Sequence, residues 1–115
     1  MRKVKMLVYT NALEGKDEEF NRWYDEIHIP EVLQLTKSVA AQRFRLSDSQ
    51  PGDPEPHRYL AIYEFEVDSK EAYDSLMAST EKMDLGSSLD PASAKVVFYN
   101  DLGVRVSAQP TAGAS

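Results

Sequence analysis

The chain has 115 residues, of which 42% are hydrophobic, and this length and composition suit a single domain with its own core. Its net charge is −6 and it has no cluster of Lys and Arg, which argues against nucleic acid or an anionic membrane surface as a partner. The absence of cysteine excludes disulfides, thiolate metal sites and cysteine nucleophiles. Because no segment approaches a membrane span and the first residues lack the apolar run of a signal peptide, we expect a cytoplasmic protein.

The first elements in chain order are a strand and a helix. Residues 4–11 predict a strand, because β-branched and aromatic residues fill a short run that ends before Gly15. Both faces of this strand are apolar, which is typical of a strand that is covered on both sides. The acidic turn over residues 17–19 then favours the N-terminus of a helix that we expect to run to His28.

This first helix carries an aromatic stripe that ends at a histidine. Its stripe follows the i, i+3, i+4, i+7 spacing of a helix that faces a core, with Phe20, Trp23, Tyr24 and Ile27. His28 follows Tyr24 by one turn and lies at the edge of the stripe. Because Pro30 disfavours helical geometry at residue 29, we expect the chain to turn just after the histidine. A second short helical piece could begin at the proline and cover residues 30–35.

Two strands and a long loop come next. Residues 39–46 predict the second strand, and residues 47–57, rich in proline, form a loop. Residues 58–67 predict the clearest strand of the chain, because its residues alternate regularly and its first half is apolar on both faces. His57, at the end of the loop, is expected to be exposed to solvent.

The last third of the chain predicts a helix, a strand and a tail. A helix is expected over residues 69–83, after the cap residues Asp68-Ser69. A loop over residues 84–93 leads to a fourth strand at residues 95–100, which residues 102–106 extend or follow. The small polar residues 107–115 are typical of a disordered tail, which leaves residues 1–106 as the folded domain.

The order of these elements predicts the architecture. A β-α-β-β-α-β order is the split βαβ arrangement of the ferredoxin-like α+β fold. Right-handed crossovers place both helices on one face of a four-stranded antiparallel sheet. The other face would leave a large apolar patch exposed, which is rare in monomers, so we expect a two-fold homodimer with its sheets face to face.

A resemblance to a known family rests on the first helix and the second strand. The pattern is Phe20-x-x-Trp23-Tyr24-x-x-x-His28-x-Pro30-Glu31, followed by Ala41-x-Arg43-Phe44. It resembles the EthD-like branch of the dimeric α+β barrel superfamily, and the resemblance covers residues 1–106. It implies a ferredoxin-like domain that pairs as a dimeric α+β barrel. Members of this superfamily include polyketide cyclases and dehydratases, muconolactone-type isomerases, monooxygenases that need no cofactor, haem-handling enzymes and proteins of unknown role.

His28 and Tyr24 are the candidate catalytic residues. Imidazole titrates near neutral pH, so His28 suits a general base or acid. Alternatively, it satisfies backbone carbonyls and the dipole at a helix end, and spacing alone favours this structural role. The resemblance makes the catalytic role as well supported as the structural role, because related proteins keep a histidine at this motif position. Asp25 could orient the ring, although its place on the helical wheel favours the surface. The phenol of Tyr24 needs a partner if it is buried, and could donate to a bound carbonyl.

Four further residues are candidates for ligand binding. Three are aromatic residues expected to form the walls of a cavity: Trp23, Tyr63 and Phe98. The fourth is Arg43, which could bind a carboxylate or an enolate together with Arg45. The alternative for this arginine pair is the solvated side of an edge strand, or ion pairs with Glu64 and Glu66, and we prefer that alternative because charged residues commonly protect strand edges.

Metal and cofactor chemistry lack support in the sequence. Only two histidines are present, His28 and His57, and their spacing makes a weak metal site, so no metal is expected. The sequence has no phosphate loop, no dinucleotide-binding glycine motif and no serine elbow, so we expect no cofactor.

These residues lead to two hypotheses of function. The first is a small cofactor-independent enzyme, a lyase, cyclase or isomerase, that uses His28 to move a proton and Tyr24 to bind a carbonyl or enolate oxygen. The resemblance implies an apolar aromatic or polyketide-like substrate. The second is a non-catalytic protein that holds a hydrophobic ligand in the same cavity. A third possibility, haem handling, requires a histidine that faces a cavity large enough for the ring.

Overall fold

A computed structural model describes residues 3–109 of the chain. Its four strands are β1 (Val4–Thr10), β2 (Ser38–Arg45), β3 (Tyr59–Phe65) and β4 (Lys95–Asn100). They form one antiparallel sheet in the order β2-β3-β1-β4. With two helical segments on one face of this sheet, the predicted ferredoxin-like α+β fold is confirmed, with small differences at the strand ends.

The first helical segment is continuous and contains one wide turn. Two α-helices, α1 (Asp17–Trp23) and α2 (Ile29–Leu35), are joined by a π-turn over Tyr24–His28. The expectation that the chain turns after the histidine is wrong, because Ile29 is helical, with φ −60° and ψ −50°, and donates its N–H to the carbonyl of Tyr24. A proline ring inside an α-helix clashes with the carbonyl four residues earlier, and the wider turn relieves this clash at Pro30.

The second helical segment is α3 (Ser69–Ser79). Asp68 caps its N-terminus, where the carboxylate accepts a backbone N–H of the first turn at 2.9 Å. The α-helix ends earlier than predicted and continues as a 3₁₀ turn over Thr80–Lys82. The hydroxyl of Ser79 donates to the carbonyl of Leu35 at 2.6 Å, which ties α3 to the end of α2.

The core lies between the sheet and the helices, on what we call the helix face. Alternate residues of β1 and β3 point there and are almost fully buried, among them Val4, Met6, Ala61, Tyr63 and Phe65. The opposite side, the open face, is also largely apolar, with Leu7, Leu60 and Ile62 half-buried and Phe44 and Tyr99 exposed. The sheet therefore has two apolar faces and helices on only one of them.

After β4, the described residues 101–109 have no regular secondary structure. Residues 102–106 follow the strand after a bend at Gly103, where φ is +82°, and their apolar side chains are exposed. Of the predicted tail, residues 110–115 lie outside the described residues. Between residues 3 and 109, no helix is long and apolar enough to cross a membrane.

Candidate functional site

A cavity of about 280 Å³ opens on the helix face of the sheet. Its walls come from β1, β3 and β4, from the helices and from the segment that follows α3. Apolar side chains dominate the lining, among them Met6, Val8, Val32, Leu76, Leu85 and Leu89. Four of the six predicted site residues also line it: Trp23, Tyr24, His28 and Tyr63. The cavity thus brings both candidate catalytic residues together with two of the candidate wall residues.

The π-turn directs His28 toward this cavity. A wider turn rotates successive residues by less than an α-helix does, so the buried stripe passes from Tyr24 to His28 and on to Val32. Ile27, which the helical wheel placed on the core face, is instead 46% exposed. The His28 side chain is only 12% exposed. The prediction that Ile27 faces the core is wrong because it assumed an uninterrupted α-helix.

The His28 imidazole sits in an aromatic corner. Its ring stacks on Trp23 at 4.7 Å between centroids and 19° between planes, and it meets the edge of Tyr24 at 4.9 Å and 88°. Its Nδ1 atom is buried without a hydrogen bond, and Oε1 of Glu31 lies 3.8 Å away. Burial lowers the pKa of His28 below its ordinary value, although the carboxylates of Glu31 and Asp84 oppose the shift. The imidazole is therefore neutral near pH 7 and able to accept a proton.

Two phenols meet at the floor of the cavity. The hydroxyl of Tyr63 donates to the hydroxyl oxygen of Tyr24 at 3.4 Å, and both residues are almost fully buried. Burial raises the pKa of both phenols, so both keep their protons. Among the described residues, the proton of Tyr24 has no acceptor, so it remains available to a ligand oxygen.

Arg43 lies behind Tyr24 and outside the cavity lining. Its guanidinium carbon is 4.5 Å from the centroid of the Tyr24 ring. Its Nη1 donates to Oδ1 of Asp25 at 2.9 Å, and its Nη2 donates to Oδ1 of Asn21 at 2.7 Å. The side chain is 14% exposed, so the preferred alternative of a solvated edge is wrong for Arg43, whereas Arg45 is exposed as that alternative predicts. Asp25 consequently pairs with Arg43 and does not orient His28.

Phe98 also lies outside the cavity lining. Its ring packs between Phe65, at 6.3 Å between centroids, and Tyr73 of α3, at 6.1 Å. These contacts belong to the core beneath α3. The fourth strand instead contributes Val96 to the cavity, two residues earlier on the same face.

His57 is largely buried, and the prediction that it is exposed is wrong. Its Nδ1 lies 2.8 Å from Oε1 of Glu55, and its Nε2 lies 2.9 Å from the carbonyl oxygen of Ser93. These two bonds fold the proline-rich loop back onto the turn before β4, leaving the side chain 17% exposed. Neither histidine suits a haem ligand, because both nitrogens of His57 are engaged and the cavity that His28 lines, about 280 Å³ against about 150 Å³ for one benzene, is too small for a ring of four pyrroles. Within residues 3–109, no group of three or more His, Cys, Asp and Glu could hold a metal ion.

Residues 84–89, which we call the flap, close one side of the cavity. The indole Nε1 of Trp23 donates to the carbonyl of Asp84 at 3.2 Å, and the backbone N–H of Asp84 donates to Oε1 of Glu31 at 2.9 Å. Gly86 has φ +66° and packs so closely that a Cβ there would lie 2.9 Å from the indole nitrogen. The sequence reasoning gave Glu31 no role, although the residue belongs to the motif that it singled out.

Comparison with known proteins finds both a family and a set of related folds. The model of the EthD domain family matches residues 15–88. A solved EthD family protein from Bacillus halodurans is 9% identical, with a TM-score of 0.56, and the match covers 87% of this chain and 99% of that one. HapK from Hahella chejuensis is 11% identical, with a TM-score of 0.57 and coverage of 91% and 99%. A protein of unknown function from Nitrosomonas europaea is 13% identical, with a TM-score of 0.53 and coverage of 95% and 98%. No curated protein matches the chain.

Proposed function

The chain belongs to the EthD domain family, and on that premise we propose that it is a small cofactor-independent enzyme that performs acid/base chemistry on an apolar aromatic or polyketide-like molecule. One observation carries the proposal: a single apolar cavity holds both a neutral imidazole and a phenol with an unused proton. Removal of a proton from the carbon next to a carbonyl requires a base and, for the carbonyl oxygen, a hydrogen-bond donor, and both face the same cavity here.

The proposed reaction begins when His28 removes a proton from the carbon beside a carbonyl group of the ligand. The electrons of that C–H bond form a carbon–carbon double bond while the π electrons of the carbonyl move onto its oxygen, and the Tyr24 hydroxyl donates a hydrogen bond to the resulting enolate oxygen. Return of the proton to another carbon gives isomerisation. Its transfer to a leaving hydroxyl gives dehydration, and attack of the enolate on a second carbonyl gives cyclisation. In each of the three reactions His28 returns the proton that it removed: to a carbon in isomerisation, to the leaving hydroxyl in dehydration and to the oxygen of the second carbonyl in cyclisation.

The size and charge of the cavity narrow the ligand class. An engineered protein cavity of about 150 Å³ holds one benzene, so a cavity of about 280 Å³ suits a molecule of two fused rings. Among residues 3–109, no Lys, Arg, Asp or Glu lines the cavity. A carboxylate would lose its hydration there without gaining a counter-ion, so we expect a neutral ketone or phenol to bind more tightly than the matching acid.

The experiment uses 2-tetralone, a neutral two-ring ketone, as the probe. Proton NMR in D₂O follows the exchange of its α-protons with and without the protein. We expect the protein to accelerate exchange, and His28→Asn to reduce that acceleration by about 10²-fold or more, the usual scale for a general base. His57→Asn removes the other imidazole and is the matched control, which should keep the full rate.

Two results would contradict this proposal. Full acceleration in the His28→Asn variant would move the base to another residue. Exchange at the rate of buffer, combined with a ligand-dependent rise in melting temperature, would favour the alternative of a non-catalytic protein that binds hydrophobic ligands. The largely apolar lining favours that alternative as well, since binding needs only the cavity.

We further propose that the chain functions as a homodimer through the open face. The support is the apolar surface formed by Leu7, Leu60, Ile62, Phe44 and Tyr99, which a second sheet would cover. Sedimentation should give twice the chain mass of 13.0 kDa. A charged residue at the centre of this surface, as in Ile62→Lys, should shift the protein toward monomer, and a monomeric wild-type protein at micromolar concentration would contradict the proposal.

A further inference from the structure

One oxygen atom of Glu31 faces two groups that belong to different parts of the site. Oε1 accepts the backbone N–H of Asp84 at 2.9 Å and lies 3.8 Å from Nδ1 of His28. We propose that Glu31 is a positioning residue that couples the protonation of His28 to the attachment of the flap over the cavity. This inference rests on the proposed function, since it concerns how the same site opens and closes.

The two ends of the flap are attached in different ways. At its far end, the carbonyl of Ser88 accepts the backbone N–H of Leu13 at 2.8 Å, and Leu89 pairs with Ala12 in a β-bridge. At its near end, Asp84 is held by side chains, the carboxylate of Glu31 and the indole of Trp23. Backbone pairing to the segment that follows β1 is fixed by the fold, whereas a side-chain acceptor can turn to another donor. The Asp84 end is therefore the one that can detach.

The charge of His28 decides which donor the Glu31 oxygen prefers. Beside a neutral ring, a contact of 3.8 Å is too long for a hydrogen bond, and the oxygen is satisfied by the Asp84 N–H. Since Nδ1 is buried, Nε2 is the nitrogen left to take a proton from a ligand. The resulting imidazolium offers a charged Nδ1–H, which adds the attraction of opposite charges, whereas the Asp84 N–H brings no net charge to its bond with the carboxylate. The carboxylate then shifts toward the ring, and its bond to the Asp84 N–H lengthens and weakens.

The other groups around the ring do not reverse this preference. The titratable groups that face His28 are Glu31 on α2, Asp84 on the flap and the phenol of Tyr24, and the sheet adds only the phenol of Tyr63. Both phenols stay protonated. The Asp84 carboxylate accepts the N–H of Gly86 at 2.9 Å and forms no ion pair with the ring within 4.0 Å, so Glu31 is the nearer partner.

The consequence is a site that opens after it has reacted. With neutral His28, the flap is attached and the apolar side chains of Leu85 and Leu89 cover the cavity. With protonated His28, the near end of the flap loosens and water or product can pass. When the proton leaves the ring, the carboxylate returns to Asp84 and the flap closes again.

The test is a hydrogen-exchange experiment on the full chain without any ligand. NMR gives the pKa of His28 and the protection of two backbone amides, Asp84 at the near end and Leu13 at the far end. In the wild type, the ratio of the Asp84 protection to the Leu13 protection should fall by about fivefold to tenfold as His28 becomes protonated, the scale of one hydrogen bond. Taking the ratio removes the intrinsic pH dependence of exchange.

The Glu31→Gln variant distinguishes a positioning role of Glu31 from a purely structural role. Its amide oxygen still accepts the Asp84 N–H, so protection at pH 7 should be kept, whereas the pKa of His28 should fall and the pH-linked change in the ratio should disappear. Glu26→Gln removes one charge from an exposed position in the same helical segment and should leave both quantities unchanged. A ratio that stays flat in the wild type, or that falls equally in Glu31→Gln, would overturn the coupling. Either result leaves the α-proton exchange by His28 as it was, so the failure of this inference and the failure of the proposed function are distinguishable.

Discussion

Replacing Gly86 by alanine tests whether the flap is packed against Trp23 as tightly as its geometry indicates. Gly86 has φ +66°, a conformation in which an L side chain costs roughly 1–2 kcal/mol. The new Cβ would lie 2.9 Å from Nε1 and 3.0 Å from Cε2 of Trp23. Carbon atoms prefer separations of about 3.5–4.0 Å, so either the flap or the indole has to move.

The magnitude follows from these two contributions. Overpacking of a tight contact costs about 1–3 kcal/mol, so Gly86→Ala should lower the free energy of unfolding by about 2–5 kcal/mol in total. Gly15→Ala is the matched control, because Gly15 has φ +76° but no atom within 4 Å of its Cβ position. That variant should lose only about 1–2 kcal/mol, from backbone strain alone.

Urea unfolding followed by circular dichroism measures both losses on the same scale. The fluorescence of Trp23, the one tryptophan of the chain, reports independently on the flap. We expect a changed emission spectrum in folded Gly86→Ala and an unchanged one in folded Gly15→Ala. Equal losses of stability with identical spectra would mean that the flap does not press on the indole, and the account of how the cavity is closed would then be wrong.

Three further predictions concern other parts of the chain. Because burial holds the pKa of His28 below its ordinary 6.5, the unfolded chain binds the proton more readily than the folded one. This residue should therefore lower the free energy of unfolding as the pH falls from about 6.5 toward the folded pKa. Urea titrations across that range should show this dependence of the free energy of unfolding on pH in the wild type and its loss in His28→Asn. Arg43→Met keeps the apolar stem but removes the donors to Asp25 and Asn21 and the contact with the Tyr24 ring, and thermal unfolding should reveal a loss of about 1–3 kcal/mol. Deletion of residues 107–115 should leave the melting temperature nearly unchanged, and a clear drop would indicate that the tail docks on the fold or on a second subunit.

The strands could be predicted from the sequence because their signal is local. Alternating apolar residues in β1 and β3 identify both elements and both of their faces, and the element order then restricts the topology. The same local reasoning placed Trp23 and Tyr24 in one stripe and His28 at its edge. A helical wheel requires only the spacing of residues along one helix, and all three of these side chains line the same cavity.

The contacts that escaped prediction depend on partners distant in sequence. His57 is buried because the carbonyl of Ser93, far along the chain, accepts a hydrogen bond from its Nε2–H. Arg43 turns toward the helices because Asn21 and Asp25 offer it oxygens there. No local pattern reveals these pairings, and a rule that assigns charged residues to solvent gives the wrong side for both. Ile27 was misjudged for a different reason, since periodicity assumes that every turn of a helix has the same width.

The wide turn at Tyr24–His28 has a consequence for how this protein tolerates changes of chain length. If one residue of the turn, such as Asp25, were deleted, the bond between the Ile29 N–H and the Tyr24 carbonyl would become a regular α-helical one, so residues from Ile29 onward would keep their directions. His28 would then follow Tyr24 by three residues instead of four, and at about 100° per residue its imidazole would point about 60° away from the Tyr24 direction. A single-residue deletion here would thus keep α2 in place against the sheet and change the direction of the imidazole, so the number of residues in this turn is as informative about activity as the histidine itself.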